Sequence, residues 1–374
     1  MTLKICFVLP AYLPAPVGGY RVVYEYADYL AGKGHDVTLV YPRQATPQRD
    51  RSPLDRAKDM VWPSVTALRN RPLVNWHVLH PSIRTLLTPS LSDRDIPDGD
   101  IVVATSWRTA GPVAGLSSSK GQKFYLIQHH ETWDGPEEAV NATWRLPLRK
   151  IVISNWLRDL GESLGATDML HIPNGIDLER FRVITPPEQR PLSILSLYHD
   201  IVFKGVPDAL AVLGAYHKRF PDVPVTMFGA KARGPDLPDW IAFHHDPDQD
   251  ALVRDIYNSN SVYFSASLAE GWALPPAEAM ACGLAFVGTD IGGFRDYATH
   301  GETALLAPPG DREGMLANLI AISENDQLRR AIQQRGTKNI SRFTWDAAGA
   351  AMESYFHDGT GKHEILRSSS SLAM

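Results

Sequence analysis

The sequence predicts an α/β protein of two doubly wound domains, each a parallel sheet with helices on both faces. Three observations predict it. Short, uninterrupted apolar runs alternate with longer helical patterns, as strands buried on both faces do. The chain has 374 residues, more than one ordinary core holds and suited to two domains. The alternation also restarts after a proline-rich, charged interruption at 183–191 (VITPPEQRP).

In the first half, 4–9 (KICFVL) reads as a strand. Gly18-Gly19 follows, then an amphipathic helix over 20–30 stopped by Gly32 and Gly34. Strands at 36–40 (DVTLV), 101–104 (IVVA), 124–127 (FYLI) and 151–153 (IVI) continue the series. The second half places strands at 193–197, 225–228, 262–264 and 285–288, with helices at 206–220, 249–258 and 275–281 between them. The expected domains are 1–184 and 185–343. Phe343-Thr-Trp345 opens a last helix, about 344–358, in which Ala348, Met352, Tyr355 and Phe356 form one apolar face. From 359 to 374 the chain turns polar, with a serine run at 368–371, and a disordered tail is expected.

Composition narrows the function. At 44% hydrophobic and 21% charged residues the chain is globular. A formal net charge of −5 offers no general attraction to nucleic acid or anionic lipid. Two cysteines, Cys6 and Cys282, exclude a disulfide scaffold and read as buried small hydrophobes in a reducing, cytoplasmic setting. The amino terminus reads as a strand rather than a signal peptide, and no apolar run reaches the ~18 residues that span a membrane. One segment departs from the average. Residues 42–72 hold seven basic side chains (Arg43, Arg49, Arg51, Arg56, Lys58, Arg69, Arg71) against three acids (Asp50, Asp55, Asp59). They read either as a solvated loop or as an acceptor-side or membrane-facing loop that prefers an anionic partner.

The strongest local signal is Glu270-Gly271-Trp272-Ala273-Leu274-Pro275-Pro276-Ala277-Glu278, continued by Ala-Met-Ala-Cys-Gly283. It follows a strand pattern and opens a helix. A helix amino terminus presents N–H groups and a partial positive charge, so it suits an anion. Pro275 and Pro276 suit the first turn. Glu270 falls in the loop and Glu278 in the first turns of the helix, so two carboxylates can face one crevice from different heights.

Two glutamates separated by seven residues, with this sequence around them, resemble the large family of retaining, nucleotide-sugar-dependent glycosyltransferases with the GT-B fold (group 1, family 4 type). The resemblance covers nearly the whole chain. It extends to Gly18-Gly19, to Ile172-Pro-Asn-Gly-Ile-Asp177 with Phe181, to Phe203-Lys204-Gly205, and to Thr289-Asp290-Ile-Gly-Gly293 and Pro308-Pro309-Gly310-Asp311. It is weakest over 42–100.

The resemblance implies two Rossmann-like domains facing a central cleft, with the last helix crossing back onto the first. It implies that Glu270 contacts the donor sugar and Glu278 the ribose. It places Lys204 and the amides of Gly271, Trp272, Ala273 and Leu274 at the diphosphate, with Gly18 and Gly19 approaching the donor phosphate. Where the family commonly has an Arg on the phosphates this chain has His199, so another cation, such as Arg295, is expected to compensate. A histidine at the end of the 124–127 strand implies a contact to the donor sugar. His129 stands nearest the strand end and His130 is the alternative; a His pair also fits a metal half-site or polar loop residues. The implied catalytic set is Glu270, His129 and Lys204.

The implied reaction moves a sugar from a nucleoside diphosphate, UDP or GDP favoured, to a hydroxyl of a glycan, a lipid-linked or a small-molecule acceptor, in glycan, polysaccharide or glycolipid biosynthesis. Configuration is expected to be retained by front-face transfer, a donor phosphate oxygen taking the proton. No cofactor and no metal are implied, and a peripheral place at the inner face of a membrane is compatible with it. Gly18-Gly19 is not the G-x-G-x-x-G of a dinucleotide fold, which argues against a dehydrogenase. Asp98-Gly-Asp100 and Asp246-Pro-Asp248 match the Asp-x-Asp of metal-dependent transferases, yet both are expected before strands, at the wrong end of a parallel sheet. Glu131, Trp107 and Trp133 follow strands of the first half, where aromatics either stack on an acceptor sugar or pack. Rival functions are a nucleotide-sugar epimerase or hydrolase of the same fold, and a non-catalytic sugar-nucleotide-binding subunit.

Overall fold

The computed structural model describes residues 1–13, 15–43, 74 and 76–360. The expected basic loop, beyond Arg43, and the expected tail beyond 360 lie outside the described residues. The chain forms two compact units. One is Met1–Pro173 with the chain from Trp345 onward, and the other is Asn174–Thr344.

The first unit carries a parallel sheet of β1 (Lys4–Val8), β2 (Asp36–Pro42), β3 (Arg84–Thr88), β4 (Ile101–Ala104), β5 (Gln122–Ile127), β6 (Arg149–Val152) and β7 (Met169–His171), in the order β3-β2-β1-β4-β5-β6-β7. Strand order reverses between β1 and β4, the place where ligands approach such sheets. The central strands are buried on both faces: Phe7, Val8, Val103 and Leu126 are fully enclosed, which is why they read as unbroken apolar runs. The Gly18–Gly32 helix packs Tyr20, Val23, Ala27 and Leu30 inward.

The last helix, Trp345–Thr360, lies on this unit with the expected face. Ala348, Met352, Tyr355 and Phe356 are buried. Phe356 meets Phe124 at 4.7 Å, Trp345 meets Tyr26 at 5.6 Å, and the Tyr355 hydroxyl donates to Asp168 Oδ1 at 2.7 Å. A Cβ on Gly349 would stand 2.3 Å from the Tyr29 ring, so this crossing of the Gly18–Gly32 helix needs glycine.

The second unit carries a parallel sheet of β8 (Ile194–Leu197), β9 (Val225–Gly229), β10 (Ile241–His245), β11 (Val262–Ser265), β12 (Ala285–Thr289) and β13 (Ala304–Ala307), in the order β10-β9-β8-β11-β12-β13. Its order reverses between β8 and β11. Ile194, Met227, Phe264 and Val287 form the core with Leu213, Tyr216, Leu319 and Ile332 from the helices.

Three features differ from the sequence reading. The expected helix 249–258 is a short α-turn, Gln249–Ala251, followed by a π-helical turn, Leu252–Tyr257. The expected boundary at 184/185 is displaced to Pro173/Asn174. The reason is that 174–184 packs on the second unit: Ile176 N donates to Phe343 O at 2.9 Å, Phe181 lies against Tyr257, and Ile184 N donates to Asn258 Oδ1 at 2.7 Å. Strands β3, β7, β10 and β13 also appear where no strand was assigned from the sequence.

Candidate active site

In the second unit the site stands at the carboxyl ends of β8 and β11, beside the reversal of strand order. Backbone contacts fix the loop after β11 from both sides. Leu268 N donates to Phe203 O at 2.7 Å, and Thr289 Oγ1 donates to Ser267 O at 2.5 Å. Gly205 has φ +64°, and a Cβ there would lie 1.9 Å from Ala266 O. That conformation and that approach both require glycine. A Cβ on Gly293 would lie 2.4 Å from Glu270 O, so the Gly-Gly turn after β12 closes on the backbone of Glu270.

This scaffold brings Lys204 and Glu270 together across 66 residues of sequence. Lys204 Nζ donates to both carboxylate oxygens, at 2.9 and 2.8 Å. Ser267 Oγ donates to Glu270 Oε1 at 2.9 Å. Glu270 is 6% exposed. An enclosed ion pair repays its desolvation poorly, so such a pair points to function rather than stability. Ser196, Leu197, Ser265 and Pro276 complete the small polar pocket around it.

Glu278 enters from the Leu274–Ala281 helix. It is 3% exposed, and its Oε2 accepts from Tyr257 OH at 3.2 Å. Tyr257 is the last residue of the π-helical turn. The helix starts after Ala273, whose φ of +45° is strained for a residue with a side chain. Pro275 and Pro276 fill the first turn and bring no N–H, so amides for an anion can come only from Leu274 and the turn before it.

The remaining expected donor contacts fall into place unevenly. The Trp272 indole is core: it is 1% exposed, packs on Tyr297 at 4.8 Å and Phe343 at 5.5 Å, and leaves only its backbone for a ligand. His199 Nδ1 accepts from Ile201 N at 3.1 Å. Burial and, next, the nearby Lys204 hold the His199 pKa below its ordinary value, so it offers hydrogen bonds and no charge. The Arg295 guanidinium is paired with Asp290, at 2.7 and 3.1 Å. Ser267 and Tyr257 escaped the sequence reading. A serine three residues before Glu270 and a tyrosine in a helical pattern carry no signal of their own.

In the first unit, the carboxyl ends of β1, β4 and β5 gather the other candidates. Gly18 and Gly19 open the Gly18–Gly32 helix, and Gln128 Nε2 donates to Gly19 O at 3.0 Å. The two histidines differ in setting. His130 Nε2 is bonded to Asn141 Oδ1 at 2.7 Å. The His129 ring lies edge-on to Trp133 at 4.3 Å and to Trp156 at 5.8 Å. Glu131 Oε2 accepts from Trp107 N at 2.7 Å, at the start of the Trp107–Ala114 helix. Burial raises the Glu131 pKa to about 7, opposed by that backbone hydrogen bond.

Of the Asp-x-Asp patterns, Asp98 bonds Lys120 and Ser119 while Asp100 accepts from Lys4 N, at the amino ends of β4 and β1. Asp246 corrects the sequence reading, since it directly follows β10 and so stands at a carboxyl end. β10 shows no apolar run because its second half is exposed. Asp248 is the cap of the Gln249–Ala251 turn, accepting from Ala251 N at 2.8 Å. Among the described residues, His35, Glu353 and His357 alone group their ligand atoms closely enough for a metal ion. His35 Nδ1 accepts from Leu3 N at 3.0 Å, so the proton sits on Nε2 and points to Glu353 at 2.9 Å. That leaves His35 without a lone pair for a metal, and its bond to Glu353 ties the last helix to the sheet.

Two family models divide the chain. The one described as Glycosyltransferase Family 4 matches residues 17–180, and the one described as Glycosyl transferases group 1 matches residues 202–339. A phosphatidyl-myo-inositol mannosyltransferase of Mycolicibacterium smegmatis is 26% identical over 388 residues, covering 96% of this chain and 95% of that protein. A glycogen synthase of Mycobacterium tuberculosis is 24% identical over 397 residues, covering 93% of each. Among solved structures, a sucrose-phosphate synthase from Thermosynechococcus elongatus superposes with a TM-score of 0.71 at 16% identity, covering 95% of this chain and 98% of the other. Anabaena HepE in complex with UDP-glucose gives 0.71 at 12% identity, covering 95% of this chain and 100% of the other. The fold is therefore GT-B, and the protein is a glycosyltransferase. Within that class, the chain belongs to the group 1 glycosyltransferases.

Proposed function

We propose that this protein is a retaining, metal-independent glycosyltransferase that moves a sugar from a nucleoside diphosphate to a hydroxyl of a glycan or lipid-linked acceptor. The observation that carries this reading is the enclosed Lys204–Glu270 pair, an ammonium 2.8–2.9 Å from both oxygens of a carboxylate that is only 6% exposed. In the proposed complex the diphosphate draws Lys204 from Glu270. The released carboxylate accepts from a sugar hydroxyl, held in place by Ser267, while Glu278 takes the ribose. Lys204 and backbone amides stabilise the departing diphosphate, as fixed charges and dipoles do in a site already organised for them. Glu270 binds and orients; no covalent intermediate on it is proposed. Gly18, Gly19 and His129 are assigned to the donor's phosphate and sugar.

UDP and GDP sugars are the favoured donors. A solved structure of the same fold holds UDP-glucose, and a relative is named as a mannosyltransferase acting on phosphatidyl-myo-inositol. That second name favours a glycolipid acceptor and a peripheral, cytoplasmic place at a membrane. No helix among the described residues is long and apolar enough to cross one.

Thermal-shift screening against UDP, GDP, dTDP and ADP sugars tests the donor. A ligand that binds only the folded protein at 100 times its Kd stabilises by about 2.7 kcal/mol. A rise for one base, lost in Glu278→Ala, is expected. Turnover with the identified donor that yields only free sugar or an epimer, whatever acceptor is offered, would instead favour a hydrolase or epimerase.

A further inference from the structure

The segment that follows β5 is more heavily braced than a connecting loop requires. Its Asp134 carboxylate accepts from Arg108 Nε at 2.7 Å and from Trp107 Nε1 at 3.2 Å. Arg108 also lies over the Trp107 ring at 4.7 Å. A Cβ on Gly135 would stand 2.3 Å from the Trp107 ring, so backbone and indole are in direct contact there. Glu131 holds Trp107 N, and His130 holds Asn141. Glu131 and His130 are half-buried, and Asp134, though exposed, is held by Arg108 and Trp107. Trp133 is 48% exposed, and its ring stands perpendicular to that of His129 with the centroids 4.3 Å apart.

We propose that Trp133 is the platform of a binding subsite for a saturated, hydroxylated ring: the accepting saccharide or cyclitol of the transfer reaction. This rests on the proposed glycosyltransferase function. Three arguments support it. The loop leaves β5 at its carboxyl end, one strand from the reversal of strand order between β1 and β4, on the side where doubly wound sheets bind ligands. An indole has a broad apolar face, which the C–H face of a pyranose or cyclitol covers while the ring's hydroxyls stay solvated. The braced loop and the contact with His129 order the indole beforehand, so stacking costs little further side-chain freedom. Its neighbour His129 is a group that hydrogen-bonds hydroxyls.

The test uses the full chain and two probes, methyl α-D-mannopyranoside and myo-inositol, followed by saturation-transfer NMR. UDP and GDP thermal shifts are measured in parallel. Wild type is expected to transfer saturation to the ring protons of at least one probe. Trp133→Ala should reduce that signal at least fivefold, and Trp133→Phe should keep most of it. Silence from both probes on wild type, or equal signals from wild type and Trp133→Ala, would overturn the proposal. So would loss of the signal on adding UDP-glucose or GDP-mannose, which would put the donor's own hexose on the indole. Absence of any nucleotide shift on wild type strikes the glycosyltransferase function instead, and is read independently of the probes.

Discussion

Removing the Lys204 charge exposes what the pocket is organised around. In the donor-free protein its ammonium stands 2.8–2.9 Å from both oxygens of Glu270, whose side chain is 7% exposed against 19% for the lysine. Lys204→Met keeps the length of the side chain and leaves an enclosed carboxylate without its cation. Breaking a buried pair in this way costs about 3–5 kcal/mol. The partial exposure of Lys204 places the expectation at the lower end, about 3 kcal/mol. For a unit the size of Asn174–Thr344 that is a fall of about 6–12 °C in Tm. Glu270→Gln removes the charge and keeps the shape, and Lys204 can turn to solvent, so it should cost less. The double variant leaves no buried charge and should lie within about 1 kcal/mol of wild type, since replacing both members of such a pair is often neutral. Calorimetric melting of the four proteins without nucleotide gives the coupling directly. Single effects that add to within about 0.5 kcal/mol in the double variant would show that the two groups do not interact, and would refute the reasoning.

Three further outcomes follow from the same geometry. Gly205→Ala should lower Tm by several degrees and abolish the nucleotide thermal shift, because φ +64° and a Cβ 1.9 Å from Ala266 O force the Lys204 turn to move; an unchanged shift would contradict this. Ser267→Ala removes the hydrogen bond to Glu270 Oε1 at 2.9 Å. A bond to a charged group is worth about 1.5–3 kcal/mol, so kcat should fall by roughly 10- to 100-fold with little change in donor KM, and Ser267→Thr should restore most of it. Glu131 titrates near pH 7 in the folded protein against an ordinary 4.5. The folded state thus prefers the protonated acid, and its contribution is full below pH 4.5 and lost as pH rises through 7. The loss is up to about 3 kcal/mol. Glu131→Gln keeps the acceptor for Trp107 N, so wild type should lose Tm relative to this variant between pH 4.5 and 7.5, and parallel Tm profiles would contradict the assignment.

How much of this was legible in the sequence depends on where each signal resides. Strands such as 101–104 and 262–265 are buried on both faces, so their apolar runs announce them. β10 is an edge strand with exposed His244 and His245, and β7 has three residues, so neither shows a periodicity. The spacing of Glu270 and Glu278 was visible because both lie in one stretch of chain. The partnership of Glu270 with Lys204 was not, because it depends on a loop pinned by Phe203, Gly205 and Thr289. Trp272 reads as a pocket residue by position, yet its indole closes the core instead. Residues 174–184 carry no local sign of the unit they join, because their partners, Thr344, Tyr257 and Asn258, are far away in sequence. The separation of His129 from His130 needed Asn141, which no local pattern connects to them.

The most direct test of the account is the anomeric configuration of the first product, followed by proton NMR during turnover of an α-linked UDP or GDP hexose with an acceptor. The account predicts an α-glycoside from the start of the reaction, formed by wild type and lost in Lys204→Met. A β-glycoside as first product would contradict retention, and release of hexose with no glycoside on any acceptor would contradict transfer itself.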